Sequence, residues 1–234
     1  MNKELRERYS RQINIEGFGI DAQKLLIDAK ILIVGAGALG SMVAMQLCGA
    51  GVGKIGVADF DTVDISNLQR QFFFKAKDAG KSKAKLLREA MIGLNDNIHV
   101  DLIENLITAK IAEKIFPEYD FIIDATDNPS SKIMVDSVCE KFNLPCCIAG
   151  VSEYHGQIMT ILPGDLRFRF IFQDAESGGF LPCSLGGVIG PAAALCASIQ
   201  ASEAIKYITK IGEPLSNKIL TFNLALNQFN LFSL

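Results

Sequence analysis

The chain has 234 residues, enough for one large domain or two small ones. Its 49% apolar and 21% charged residues exclude a disordered or fibrous protein and predict a sizeable core. The net charge of −3, without a dense Lys/Arg cluster, argues against a nucleic-acid partner. No apolar run reaches the roughly 18 residues of a membrane span, and the N-terminus lacks a signal-peptide core. We therefore expect a cytoplasmic protein with no membrane partner.

The chain contains six cysteines, and none forms a CxxC pair. Without an export signal, they predict reduced thiols rather than a disulfide framework. Five have apolar neighbours and are interpreted as small core residues. Cys183 differs, because the glycines around it favour exposure.

The first half of the chain alternates strand and helix patterns. Residues 30–35 (KILIVG) predict a buried strand, because a run rich in β-branched residues ends at a glycine, and a helical spacing follows. Residues 54–59 predict a second strand that closes a βαβ unit. The pattern continues with predicted helices at 80–95, 108–116 and 130–142 and predicted strands at 99–107 and 119–127. This rhythm predicts an α/β fold with a doubly wound, Rossmann-like, mainly parallel sheet.

The rhythm changes after residue 151. Residues 155–163 alternate like an antiparallel strand, and the connection from about 163 to 183 is predicted to be mostly loop. Connections of that length are usually functional or mobile. An Ala-rich helix is predicted from about 191 to 208, followed by strands at 218–224 and 227–234. We expect these antiparallel C-terminal strands to extend the sheet.

The segment GAGALG (35–40) matches the GxGxxG pattern between a predicted strand and a predicted helix. Gly35 permits a tight turn, Gly37 lets backbone N–H groups approach a phosphate, and Gly40 allows close helix packing. The helix N-terminus favours an anion. Asp59, at the end of the next strand, is placed to accept hydrogen bonds from ribose hydroxyls. Taken alone, these residues also fit an NAD-binding fold.

The segment DFDTVDISNLQRQ (59–71) adds groups that a hydride-transfer site does not need. Arg70 offers a planar fork for phosphate oxygens, with the amides of Asn67 and Gln71 beside it. Lys83 supplies a point charge at a predicted helix start. Together they indicate a pocket for a triphosphate and a reacting carboxylate.

Asp127 ends the predicted strand 119–127, at the sheet edge where doubly wound folds bind ligands. A carboxylate that faces a triphosphate is expected to hold Mg²⁺, and Asn128 can contact the phosphates or the base. The same two residues also fit a helix cap ahead of Pro129. The two interpretations are compatible, and both stay open. His99 and His155 are expected to be structural.

Seven motifs occur in order along the chain: RYSRQ (8–12), GAGALG, DFDTVDISNLQRQF, GKSKA (80–84), DATDN (124–128), GQI (156–158) and GVIGP (187–191). Together they resemble the ThiF/MoeB/HesA family, relatives of the ubiquitin-activating enzymes, over nearly the whole chain. The resemblance implies an adenylyltransferase that uses ATP and Mg²⁺. Its substrate would be the C-terminal glycine carboxylate of a ubiquitin-like sulfur carrier, and its by-product pyrophosphate.

The resemblance also implies individual roles. Asp59 would hold the ribose, and Asp127 the magnesium. The phosphates would be held by Asn67, Arg70 and Lys83. The full set of nucleotide-binding residues that it implies is Gly35, Gly37, Ala38, Gly40, Asp59, Asp61, Ser66, Asn67, Leu68, Gln69, Arg70, Lys83, Asp127 and Asn128.

Two catalytic roles depend on the resemblance alone. Arg11 would reach the ATP phosphates of a neighbouring subunit, which implies a homodimer. Cys183 falls where ThiF-like members carry the cysteine that forms a covalent link with the carrier during sulfur transfer.

The chain departs from the family pattern in two places. Ala38 replaces a glycine that many relatives have. The two CxxC pairs of the family's zinc site are missing, and a closed site needs four thiolates, so we expect no zinc. We expect packing by RFRFIF (167–172) to replace the metal.

The preferred prediction is a single adenylation domain over 1–234 that activates a ThiS-like carrier for thiamine thiazole biosynthesis. Residues 1–150 would bind the nucleotide, and residues 151–234 the carrier. A MoeB-like enzyme acting on a MoaD-like carrier is the alternative, as is activation of another peptide or small-molecule carboxylate. A non-catalytic scaffold for a ubiquitin-like partner and an NAD-binding oxidoreductase are alternatives of a different class.

Overall fold

The computed structural model describes residues 1–172 and 187–234. Within these ranges, eight strands form one sheet: β1 Lys30–Val34, β2 Lys54–Ala58, β3 His99–Ile103, β4 Phe121–Asp124, β5 Cys146–Ser152, β6 His155–Ile161, β7 Lys218–Asn223 and β8 Gln228–Ser233. The strand order is β3-β2-β1-β4-β5-β6-β7-β8. The first five strands in this order, from β3 to β5, pair in parallel. The remaining pairs, from β5 to β8, are antiparallel. The predicted fold class is confirmed.

Nine α-helices lie in the described ranges: α1 Lys3–Arg8, α2 Ser10–Ile13, α3 Gly19–Asp28, α4 Ala38–Ala50, α5 Lys83–Leu94, α6 Ala109–Ile115, α7 Pro129–Lys141, α8 Phe168–Ile171 and α9 Gly190–Thr209. The sequence predicted α4 to α7 and α9 but not α1 to α3. The short α8 lies inside the connection that was predicted to be mostly loop.

The helices cover both faces of the parallel strands. Ile31 and Ile33 of β1 point to one apolar core, which contains residues of α4, α5 and α9. Leu32 and Val34 point to a second core, which contains residues of α6 and α7. Strands buried on both faces are expected to be continuously apolar, and this explains the sequence KILIV.

The strand register places the candidate site. Val34 of β1 pairs with Ala58 of β2 and with Asp124 of β4. Because these strands are parallel and end level, the segments that follow them emerge at one edge of the sheet. Those segments are the glycine motif, the start of 59–71, and the DATDN motif.

The five cysteines of the described residues are all buried, as predicted. Burial raises the pKa of Cys48 to about 11 and keeps the pKa of Cys147 well above its ordinary value. Thiols of this kind are poor nucleophiles. Cys183, the predicted reactive thiol, lies outside the described residues. None of the helices between 1 and 172 or between 187 and 234 is both long and apolar enough to cross a membrane.

Candidate active site

The glycine motif makes a turn that only glycine fits at two positions. Gly35 has φ +101°, and a Cβ there would lie 2.7 Å from the Ala125 carbonyl oxygen. A Cβ on Gly40 would lie 1.8 Å from the Gly35 carbonyl oxygen. The motif therefore packs directly against the segment that follows β4.

The N-terminus of α4 is open. Gly37 precedes the helix, and no side chain caps it. Among the described residues that are not its chain neighbours, a Cβ on Gly37 would meet the Gln71 Nε2 alone, at 3.6 Å. The first amides of a helix have no partner within the helix, so this turn offers donors to an anion. Ala38 is half-buried and packs against the first apolar core.

Asp59 ties the glycine turn to the next segment. Its Oδ2 accepts a hydrogen bond from the Ala36 amide at 2.6 Å, and its Oδ1 accepts one from the Asp61 amide at 2.7 Å. The carboxylate therefore lies beside the turn. Each of its oxygens keeps a further lone pair that a hydroxyl group can use.

Lys83 lies at the first position of α5 and is 7% exposed. Its Nζ is 3.1 Å from Asp61 Oδ2, and its amide donates to the Asp61 carbonyl at 3.0 Å. Asp61 was predicted only as a nucleotide-binding residue. The structure shows that it is also the counter-ion that directs the Lys83 ammonium.

The middle of the 59–71 segment is a 3-10 turn, Ile65–Asn67, capped by Asp64. Asp64 Oδ1 accepts hydrogen bonds from the amide and the hydroxyl of Ser66, which lower the Asp64 pKa. Asn67 Oδ1 accepts from the Asp64 amide at 3.3 Å. Ser66 and Asn67 therefore shape this turn.

The end of the segment is anchored on both sides. Leu68 packs against the first core, and Gln69 Nε2 donates to the Val188 carbonyl at 3.2 Å. Arg70 Nη1 donates to the Ser66 carbonyl at 3.0 Å, and none of the described residues forms an ion pair with Arg70. Arg70 is therefore a positioned cation that lacks a described counter-ion.

Of the two residues that were predicted to fit a helix cap, Asn128 forms the cap and Asp127 does not. Asn128 caps α7, because its Oδ1 accepts from the Ser131 amide at 2.9 Å. Asp127 is exposed, and its Oδ1 lies 3.4 Å from Asn128 Nδ2. The capping interpretation therefore belongs to Asn128 and leaves the Asp127 carboxylate available.

A buried lysine below this loop was not predicted. Lys132 Nζ donates to Asp124 Oδ2 at 2.6 Å and to the carbonyls of Thr126 and Ala149, both at 2.7 Å. Asp124 is fully buried and also accepts from Thr126 Oγ1 at 2.6 Å. The network fixes the loop that carries Asp127. A sequence feature that could have indicated this network is Asp124, the acidic residue that ends the otherwise apolar segment FIID.

Arg11 is not part of its own chain's site. It lies exposed on α2, between Tyr9, against which Gly51 packs, and Gln12, whose Nε2 donates to the Ala50 carbonyl at 2.8 Å. Ala50 ends α4 and Gly51 follows it, whereas Gly37 precedes the first residue of the helix. A helix of 13 residues is about 20 Å long at about 1.5 Å per residue, so Arg11 and the glycine turn lie far apart.

Packing and charge hold the segment 167–172. Arg167 Nη2 lies 2.7 Å from Asp136 Oδ1 and donates to the Asp136 carbonyl at 2.6 Å. The rings of Phe168 and Phe172 lie 4.7 Å apart. Among the described residues, no group of three or more His, Cys, Asp and Glu side chains is arranged to hold a metal. The predicted absence of zinc stays a prediction.

The chain is similar in sequence to known adenylyltransferases. A model of the ThiF family matches residues 9–234. The probable adenylyltransferase/sulfurtransferase MoeZ of Mycobacterium tuberculosis is 37% identical over 229 residues, which cover 95% of this chain and 58% of MoeZ. The sulfur carrier protein ThiS adenylyltransferase of Escherichia coli is 32% identical over 209 residues, which cover 88% of this chain and 83% of that protein.

The fold matches solved structures as well. The crystal structure of E. coli MccB with ATP has a TM-score of 0.84 and 26% identity, covering 97% of this chain and 71% of MccB.

The probable molybdopterin-synthase adenylyltransferase of Porphyra purpurea is 33% identical over 230 residues, 97% of this chain and 60% of that protein. The chain thus spans 58% of MoeZ and a larger share of the ThiS adenylyltransferase. The chain belongs to the ThiF family.

Proposed function

We propose that the chain is an adenylyltransferase that uses ATP to activate the C-terminal carboxylate of a ubiquitin-like carrier protein or peptide. The observation that carries this proposal is that the N-terminus of α4, Arg70 and the exposed Asp127 lie on segments that follow β1, β2 and β4 at one edge of the sheet, where Asp61 also holds Lys83. Relatives named as adenylyltransferases, and a similar structure with ATP, support it. Family membership argues against the NAD-binding alternative.

The groups present suit the joining of two anions. A carboxylate that attacks a phosphate needs its repulsion offset, and the α4 amides, Lys83 and Arg70 can supply that positive charge. No general base is needed, because a carboxylate is already ionised at neutral pH. The two histidines bond elsewhere: His99 to Asp101 at 2.7 Å and His155 to Asn223 at 2.9 Å.

Asp127 is the residue that would hold Mg²⁺, because its carboxylate is exposed at the sheet edge and does not cap a helix. A magnesium ion bound there would neutralise phosphate charge. The Lys132 network keeps the loop in place and leaves Asp127 free to bind. Asp59, beside the glycine turn, would accept from the ribose hydroxyls.

Arg11 would act on a second copy of the chain. It is exposed, it forms no ion pair with any described residue, and α4 separates it from its own glycine turn. A symmetric dimer would allow each chain to lend its arginine to the other. This homodimer, like a covalent role for Cys183, is part of the proposal.

We favour a ThiS-like carrier, in line with the preferred sequence prediction. The ThiS adenylyltransferase and the molybdopterin-synthase adenylyltransferase are 32% and 33% identical to this chain, so identity does not separate the two carriers. A single domain over 1–234 fits the sheet, which runs without a break from β3 to β8.

ATP–pyrophosphate exchange with ThiS-like and MoaD-like carriers tests the proposal. Exchange is expected with one carrier, and Asp127→Ala or Arg70→Ala should lower its rate roughly 10² to 10³-fold, the usual loss for one charge-stabilising group. Asp21→Ala, on α3, and Arg88→Ala, on α5, are matched controls, because both residues are exposed and neither is among the predicted site residues. They should leave the rate unchanged.

Two results would contradict the proposal. Full-rate exchange in Asp127→Ala and Arg70→Ala would disprove their roles. If no carrier supports exchange while one of them binds the protein, the non-catalytic scaffold is the better account.

A further inference from the structure

Gln71 is buried at the centre of the candidate site with an unsatisfied side chain. It is 4% exposed, and its Oε1 has no hydrogen-bond partner among the described residues. Its backbone is held in place, because its amide donates to the Asn67 carbonyl at 3.0 Å and its carbonyl accepts from Phe74 at 3.2 Å. The side chain is therefore directed by a fixed backbone rather than by its own bonds.

The donor end of this amide faces the open turn. Nε2 lies 3.6 Å from the position of a Cβ on Gly37, the residue that begins α4. Apart from Gly37 and its two chain neighbours, no other atom of the described residues lies within 4 Å of that Cβ position. Nε2 and the first amides of α4 therefore border the same space, and both are donors that suit an anionic oxygen.

The acceptor end requires a different partner. Buried polar groups are almost always hydrogen-bonded, and leaving one unpaired is costly. A phosphate at neutral pH offers mainly acceptors, so it matches Nε2 but not Oε1. A ligand that presents an anionic oxygen beside an N–H or O–H donor would satisfy both ends of the amide. The C-terminus of a peptide does so, because the last backbone N–H lies two bonds from the carboxyl carbon.

We propose that Gln71 binds the junction between the nucleotide and the acyl substrate. Its Nε2 donates to a phosphate oxygen at Gly37, and its Oε1 accepts from the last backbone N–H of the peptide tail. This inference rests on the proposed function and assigns to Gln71 the recognition of the last peptide bond of the substrate. It selects carboxylates that carry a neighbouring amide and disfavours simple organic acids.

Gln71→Met tests the donor end, because methionine has a similar volume and makes no such hydrogen bonds. The ligand-free melting temperature should stay equal or rise, since no described bond is lost. The Kd for ATP, measured by calorimetry without carrier, should rise roughly tenfold or more, the usual effect of losing a bond to a charged group. A lower melting temperature with unchanged ATP affinity would overturn the proposal.

Gln23→Met is the matched control. Gln23 is also buried, and its Nε2 donates to the Ala50 carbonyl at 3.0 Å, at the other end of α4. This variant should melt at a lower temperature and keep its ATP affinity, the opposite of Gln71→Met.

A semisynthetic carrier whose last peptide bond is an ester tests the acceptor end, because the ester lacks the N–H. With the wild-type protein, kcat/KM for exchange should fall about fivefold, in the range expected for a neutral hydrogen bond. With Gln71→Met the amide and ester carriers should differ by less than about twofold. Equal losses in both proteins, or no loss in either, would overturn the assignment.

The proposed function and the role of Gln71 can be disproved separately. If the wild-type protein shows no exchange with any amide carrier, the proposed function fails. The ATP affinity of Gln71→Met then still decides whether Gln71 contacts the nucleotide.

Discussion

Gly37 and Gly40 belong to the same motif but respond differently to an added methyl group. In Gly40→Ala the new Cβ would lie 1.8 Å from the Gly35 carbonyl oxygen, so the turn must open and the protein should lose stability. In Gly37→Ala the Cβ has 3.6 Å to its nearest neighbour, so the protein should fold normally. That methyl would instead occupy the space proposed for a phosphate, and ATP affinity should fall.

Thermal melting and ATP calorimetry on the two variants separate these outcomes. We expect a lowered melting temperature for Gly40→Ala alone and weakened ATP binding in a stable protein for Gly37→Ala. Gly93→Ala is the control, because the residue lies on α5 and a Cβ there meets no atom of the described residues beyond its own stretch of helix within 4 Å. Gly37→Ala with wild-type ATP affinity would show that the phosphate does not approach at this glycine.

At the scale of single residues, the sequence predicted where a residue lies on a strand or helix better than it predicted the hydrogen-bond and ion-pair partners of its side chain. It identified Asp59 and Lys83 because strand ends and helix starts can be located from apolar spacing. It could not show that Asp61 pairs with Lys83, or that Lys132 lies beneath the Asp127 loop. The Lys83–Asp61 pair joins residues 22 positions apart, and Lys132 has acceptors 6, 8 and 17 positions away. Spacings of this kind follow from the path of the folded chain and not from a repeating apolar pattern.

At the scale of elements, the segment 167–172 shows how a charge pair and aromatic rings hold a chain segment. Arg167 is 5% exposed and Asp136 is fully buried, and burial raises the Asp136 pKa while Arg167 offsets the rise only in part. Removing one member of a buried pair usually costs about 3 to 5 kcal/mol. Arg167→Met should therefore strongly lower the free energy of unfolding, measured in urea, and chelators should have no effect on the wild-type protein.

The pH dependence of that variant has a definite sign. An aspartate whose pKa is raised by folding destabilises the protein once it is ionised, and protonation relieves this cost. The loss in Arg167→Met should therefore shrink as the pH is lowered towards the ordinary range of aspartate. Arg169→Met is the control, because its side chain is 27% exposed and should matter less. Stoichiometric zinc in the purified protein, or unfolding by chelators, would contradict this account.

Elements outside the alternating pattern were the hardest to predict. The short helices α1 and α2 contain no buried residue, so their sequences show no apolar periodicity from which a helix could be predicted. The four-residue α8 depends on the pair of Arg167 with Asp136 and on the burial of Phe168 in the second apolar core. The parallel strands were predicted because they are continuously apolar, and α5 because its apolar residues recur at helical spacing.

At the scale of the whole molecule, the distance between Arg11 and the glycine turn leads to a test of the homodimer. Arg11→Ala and Asp127→Ala should each abolish most exchange. If the arginine acts across the dimer, co-expression of the two variants should restore roughly a quarter of the wild-type rate, because half the dimers would carry one intact site.

The control combines two variants in which the substituted residue serves the site of its own chain. Co-expressed Arg70→Ala and Asp127→Ala should restore nothing, because every site in their mixed dimer lacks one group. No recovery with Arg11→Ala, or full activity in a protein that elutes as a monomer, would refute the exchange of arginines.

The three acceptors of Lys132 come from β4, from the loop after it and from β5. The loop that carries Asp127 cannot swing outward without leaving an ammonium unpaired in the core, which is costly. This edge of the site is therefore preorganised before any ligand arrives. The amide protons around Thr126 should exchange with solvent slowly, on the timescale of core strands rather than of surface loops. Little ordering entropy is then lost at this loop when a ligand binds, since the loop is already fixed.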